Sequence, residues 1–114
     1  MAVNHIEDLK RCMENTGKLG EACPDVMGAF MQLHHAAVEE GTLSTKTKEL
    51  ICVAISVSIR CNDCINAHVK AAIDTGASRE EISEAIGVAV LMSGGPGTAY
   101  GAIAIEAMDQ FLAE

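Results

Sequence analysis

The chain has 114 residues, enough to bury one hydrophobic core but not comfortably two, and sixteen acidic against eight basic residues give it a formal net charge of -8. That charge repels nucleic acid and anionic membrane surfaces, so neither is expected as a partner. Apolar residues make up 49% of the sequence and aromatic ones only 3%, so the core must be built from small aliphatic side chains that bury little area each; completion against further copies of the chain, as a homo-oligomer, is expected.

The first helix is expected from about Asn4, a possible cap, to Lys18, ending before Gly20. No apolar run follows a basic one between Met1 and Arg11, so the stretch does not read as a secretory leader, and a cytosolic location is expected. A second helix begins after Cys23 with Pro24 at its first position and runs to Glu40 before Gly41. Ser44 can cap a third, polar through Glu49 and then uncharged from Leu50 to Ile59; apolar on every face, that run suits the centre of a domain or a subunit interface.

A fourth helix is expected from about Cys61 to Thr75, ending at Gly76. Ser78-Arg79-Glu80-Glu81 has the capping-box form and opens a fifth helix to about Met92, and a sixth runs from near Pro96 to Leu112. The uncharged stretch from Ala85 to Ile105 is long enough to raise the question of a membrane span, but Ser93-Gly94-Gly95-Pro96-Gly97 breaks it in the middle. Two buried helices joined by a tight turn are the better reading. The expected architecture is all-α, a single domain of about six helices over residues 1–114.

Five cysteines, an odd number, argue against a fully paired disulfide framework. The informative segment is Cys61-Asn62-Asp63-Cys64-Ile65-Asn66-Ala67-His68. At about 100° per residue Cys61, Cys64 and His68 share one helix face, and cysteines three apart on a helix lie within disulfide range. The start of a helix stabilises a thiolate, the nucleophilic form, and His68 one turn after Cys64 can take or return its proton. Glu49 is the last charge before the uncharged run. If the third and fourth helices form a hairpin at Arg60, it stands within about 5 Å of the axial level of His68 and can orient that ring.

The pattern Glu49, eleven residues, then Cys61-x-x-Cys64-x-x-x-His68, with the later Leu91-Met92-Ser93-Gly94-Gly95-Pro96 segment, resembles the alkylhydroperoxidase D-like branch of the carboxymuconolactone decarboxylase family from about Leu43 onward. The resemblance implies an alkylhydroperoxidase D-like all-α fold, assembled as trimers or hexamers. It implies a hydroperoxide or disulfide substrate reduced without a bound cofactor, and a dithiol-bearing partner that restores the enzyme. By the same likeness Cys64 attacks the peroxide, Cys61 resolves the sulfenic acid, and His68 with Glu49 relays the proton. Asp63 stands where the namesake peroxidase has a histidine, and its charge disfavours a neighbouring thiolate. Family members that decarboxylate lactones lack the cysteine pair, so that activity is not expected.

Two other readings use the same residues. Cys61 and Cys64 can be half of a structural zinc site, completed by His68, Cys12, Cys23, His34 or His35, although there is no second paired knuckle; or the disulfide can act as a switch in a helical scaffold without turnover. Cys52 reads as an inert core residue, Cys12 and Cys23 as structural or incidental, and Met27, Met31, Met92 and Met108 as core filler. His34 and His35 are adjacent, point to different parts of a helix surface and are not expected to form a joint metal site.

Overall fold

A computed structural model describes residues 2–114; Met1, the first residue of the expected 1–114 domain and of the Met1 to Arg11 stretch, lies outside the described residues. Six helices follow one another: α1 (His5–Ala22), α2 (Pro24–Val38), α3 (Thr45–Ser58), α4 (Asn62–Asp74), α5 (Arg79–Ser93) and α6 (Gly95–Leu112), with no strand among the described residues. The caps that start them are local. The side chains of Asn4, Ser44 and Ser78 accept from the backbone N–H groups of Glu7, Thr47 and Glu81, and Glu81 completes a capping box.

α3 to α6 enclose the core. Val53, Val57, Ile65, Val69, Ala72, Ile82, Ala104, Ala107 and Met108 bury their side chains there, and Phe111 closes one end. Small residues let α5 and α6 come close: a Cβ on Gly97 would lie 3.1 Å from the Val90 Cα. α1 lies across this group, held at its start by His5. The Nδ1 of that buried ring is 2.8 Å from Asn66 Oδ1 and its Nε2 is 2.6 Å from Glu106 Oε1. His5 was not singled out by the sequence pattern, because its partners lie 61 and 101 residues away.

The turn between α3 and α4 matters most for the site. Ile59 ends α3, Arg60 has a positive φ of 59°, the Cys61 N–H donates to Ser56 O at 3.1 Å, and the Arg60 N–H donates to Val57 O at 3.2 Å. This is a Schellman motif. The same pair of bonds ends α4, where Gly76 takes the positive-φ position with φ of 92°. At Arg60 the motif is formed by a residue with a Cβ, at a steric cost that glycine avoids.

Several boundaries and burials differ from expectation. α1 runs past Gly20 to Ala22, because a glycine in an exposed helix weakens it only modestly, whereas Cys23 precedes Pro24 and is pushed out of helical geometry. α2 ends at Val38 rather than Glu40. α3 is not buried on all sides: Val53, Ser56 and Val57 face the core while Ile51, Ile55 and Ile59 are exposed. α2 buries none of its residues, and Val26, Phe30 and Leu33 lie open on it. Of the four methionines read as core filler, Met108 is buried, whereas Met31 and Met92 are exposed. No helix among the described residues is long and apolar enough to cross a membrane; the uncharged stretch divides at Gly94 between α5 and α6.

Arg60→Gly should stabilise the chain by about 0.5–1 kcal/mol, the left-handed strain relieved less the extra freedom gained by the unfolded chain. Denaturant unfolding of the reduced protein measures it, with Gly76→Ala expected to move stability the opposite way.

Candidate functional site

The α3–α4 turn delivers Cys61 directly to the start of α4. Cys61 is the N-cap rather than the first helical residue, and its sulfur accepts the Cys64 N–H at 3.1 Å, in the place where a serine or aspartate oxygen usually acts. Cys61 and Cys64 are joined as a disulfide, with Cα atoms 5.2 Å apart. Their position matters chemically, because the free N–H groups and the positive end of the helix dipole favour negative charge on a sulfur held there.

One turn further, His68 is partly exposed and its Nδ1 lies 2.7 Å from Glu49 Oε1. The contact is direct, shorter than the spacing along the hairpin alone required. With the ring donating from Nδ1 to the carboxylate, Nε2 is left with its lone pair, so the bond selects the tautomer that can accept a proton. Glu49 keeps only 5% of its side-chain surface exposed. A carboxylate so withdrawn from water needs a hydrogen-bonding partner, and His68 supplies it.

Two further residues enter this region from positions that sequence spacing did not connect. Cys52, one turn after Glu49 on α3, is partly exposed rather than buried in the core, and its sulfur, a carboxylate oxygen of Glu49 and a ring nitrogen of His68 all lie within 4.8 Å of one another. Burial pushes the Cys52 thiol up from its ordinary pKa, and the nearby Glu49 carboxylate pushes it further the same way. His34 on α2 stacks on His68, ring centres 6.3 Å apart, while His35 meets only the edge of His34 at 5.7 Å. The i,i+3 relation of Glu49 and Cys52 was the available signal for the first contact; nothing along the chain marked the second.

Cys64, His68 and His34 open onto a groove of about 550 Å³. Leu9 and Met13 of α1, Phe30 and Met31 of α2 and Ala67 and Ala71 of α4 form its apolar walls, and Asp63 and Lys70 stand among its charged groups. Cys61 does not line the groove, so the two sulfurs are unequally placed. Among the described residues, no cluster of metal-binding side chains includes Cys61 or Cys64. Cys12 lies along the groove wall and Cys23 is exposed between α1 and α2.

Six helices around a single core, with a cysteine pair at the start of α4, define an all-α fold of the alkylhydroperoxidase D-like kind. The carboxymuconolactone decarboxylase family matches residues 24–107, taking in α2 as well as the segment from Leu43 that the motif marked. The chain belongs to that family. An uncharacterised protein of Cupriavidus necator is 39% identical over 93 residues, covering 82% of each chain. The crystal structure of a family member from Legionella pneumophila in its apo form superposes with a TM-score of 0.91 at 37% identity, covering 94% of this chain and 96% of that one. A family member from Thermotoga maritima, for which involvement in the antioxidative response has been suggested, superposes with a TM-score of 0.72 at 32% identity, covering 76% of this chain and 90% of that one.

The raised Cys52 thiol has a measurable consequence. At neutral pH Cys52 should alkylate more slowly than Cys12 and Cys23, followed by peptide mass spectrometry. Glu49→Gln should speed Cys52 alone, because removing the carboxylate charge lets the thiolate form at lower pH while burial still opposes it.

Proposed function

We propose that the protein is a thiol-disulfide oxidoreductase that reduces hydroperoxides through Cys61 and Cys64, with His68 and Glu49 moving the proton. The observation that carries this reading is the joint placement of the disulfide and the Glu49–His68 pair on one hairpin, with Cys64 and His68 open to the same groove. The antioxidative role suggested for the Thermotoga protein is consistent with it.

In the reduced enzyme, His68 Nε2 takes the Cys64 thiol proton, and the bond from Nδ1 to Glu49 stabilises the imidazolium. The thiolate attacks the outer peroxide oxygen: an S–O bond forms, the O–O bond breaks, and the leaving alkoxide takes the proton from His68. Cys64 is now a sulfenic acid, oxidised by two electrons. Cys61 attacks that sulfur, hydroxide leaves and with the Cys61 proton becomes water, and the disulfide closes. A dithiol-bearing partner then attacks Cys64, the cysteine that lines the groove, and expels Cys61 as a thiolate received by the N-terminus of α4. The partner's second thiol completes the two-electron reduction. A disulfide substrate uses the reduced pair in the same manner, with thiolate exchange replacing O–O cleavage.

The assembly implied by the family likeness, a trimer or hexamer, is part of this proposal. Its support is the open apolar surface of α2, together with Ile51 and Ile55 on α3, Ile59 at its C-cap, and Val88, Leu91 and Met92 on α5. Such faces normally mark subunit contacts. Ile55→Glu should reduce the particle mass measured by light scattering, since an interface closed over that face would have to bury a charge.

Cys64→Ser should abolish turnover of an organic hydroperoxide with a dithiol donor. His68→Gln, which retains an N–H donor for Glu49 but no base, should lower the rate by about 10²–10⁴-fold while leaving the unfolding midpoint near that of the parent. Steady-state kinetics checks both, and undiminished turnover in Cys64→Ser refutes the mechanism.

A further inference from the structure

Cys52 has no part in the cycle just described, yet its sulfur faces the two side chains that move the proton. We propose that Glu49, Cys52 and His68 form a binding site for a thiophilic divalent cation of the Zn2+ type, and that an ion bound there occupies the proton-relay atoms and arrests turnover. The second half rests on the proposed redox function; the first half stands without it.

The donor set is chemically coherent. One thiolate, one carboxylate and one imidazole suit Zn2+ or Co2+ and are poorly matched to Mg2+ or Ca2+, which seek oxygen alone. The three donor atoms already lie within 4.8 Å of one another. A tetrahedral ion with bonds of about 2.0–2.3 Å holds its ligands roughly 3.3–3.8 Å apart, so Cys52 need close only slightly. Between His68 Nδ1 and Glu49 Oε1, now 2.7 Å apart, the gap must widen by about as little while the ion replaces the proton they share.

Charge and placement favour the same outcome. The ion displaces the Cys52 thiol proton and shifts the ring proton of His68 from Nδ1 to Nε2, so that a thiolate, a carboxylate and a neutral imidazole offset its two positive charges. A neutral cluster is the least costly one to hold beside a carboxylate with 5% of its side-chain surface exposed. Glu49 and Cys52 are one turn apart on α3, and His68 comes from α4, whose axis is set by the Arg60 turn, so the ligands sit on packed helices rather than loops. Three protein ligands leave a fourth position for water. Cys61 and Cys64 are outside the set, so the cation and the redox disulfide do not compete for sulfur.

The site can be tested on the full-length protein with the Cys61–Cys64 disulfide closed, so that neither of those sulfurs can ligate. Co2+ alone serves as the probe. Binding of one equivalent with a near-ultraviolet thiolate-to-cobalt charge-transfer band is expected. The band should vanish in Cys52→Ser and survive in the Cys12→Ser/Cys23→Ser double variant. Zn2+ affinity, read by competition with a chromophoric chelator, should fall about tenfold or more in Cys52→Ser and in His68→Gln. No charge-transfer band in the parent, or one undiminished in Cys52→Ser, overturns the site. The inhibitory half is read from single-turnover oxidation of pre-reduced protein, freed of added reductant, by an organic hydroperoxide, each variant scaled to its own metal-free rate. Zn2+ should slow the parent about tenfold or more and Cys52→Ser much less; equal slowing of both overturns it. A parent without peroxide turnover defeats the redox proposal, and with it the inhibitory half, while the cobalt spectrum still decides the site.

Discussion

The hydrogen bond from His68 to Glu49 ties α4 to α3 at a point where a carboxylate has been almost entirely withdrawn from water. A buried acid that finds no partner is expensive, so this contact constrains how the two helices can sit against each other. The Arg60 turn makes the contact attainable. By closing the Schellman bonds with a non-glycine residue in the left-handed region, it reverses the chain tightly enough for residues 19 apart to meet. The same turn sets Cys61 at the cap of α4, so the position of one sulfur and the partner of the imidazole follow from a single reversal.

Around this hairpin the other helices act as walls. α5 and α6 supply the apolar support behind it, approaching closely at Gly97, while His5 pins the start of α1 to Asn66 and Glu106. α1 and α2 then enclose the groove over Cys64 and His68, mostly with aliphatic and sulfur-bearing side chains and with Phe30. α2 covers the site on one side while its remaining apolar surface stays open. In the proposed assembly a helix that buries none of its own residues and yet contributes to a site would lie between its own chain and another, which links that proposal to the proposed chemistry.

Unequal placement of two chemically identical sulfurs gives the proposed cycle its direction. Cys64 opens to the groove, whereas Cys61 lies at the helix cap, accepting a backbone N–H. Both cysteines are partly exposed, but a partner docked in the groove meets Cys64, and in thiol-disulfide exchange the sulfur whose negative charge is better stabilised is the better leaving group. Asp63, exposed along the same groove, adds negative charge close to Cys64, against which the helix terminus and an imidazolium at His68 act.

The sequence by itself determined the helices and the spacing of the cysteine pair. Asn4, Ser44 and Ser78 start their helices by bonds reaching three residues along the chain, and the Cys61, Cys64 and His68 spacing depends only on helical pitch. The end of α1 also has a local cause, Pro24 acting on Cys23 where Gly20 does not. Only the tertiary structure decided that Glu49 touches His68 directly, that Cys52 faces both, that His34 stacks on the same ring, and that His5 is buried. The physical reason is that periodicity specifies which residues share a helix face, while the rotation and depth at which helices dock are set by packing among residues distant in the chain. Those two quantities determine which polar side chains meet in the interior.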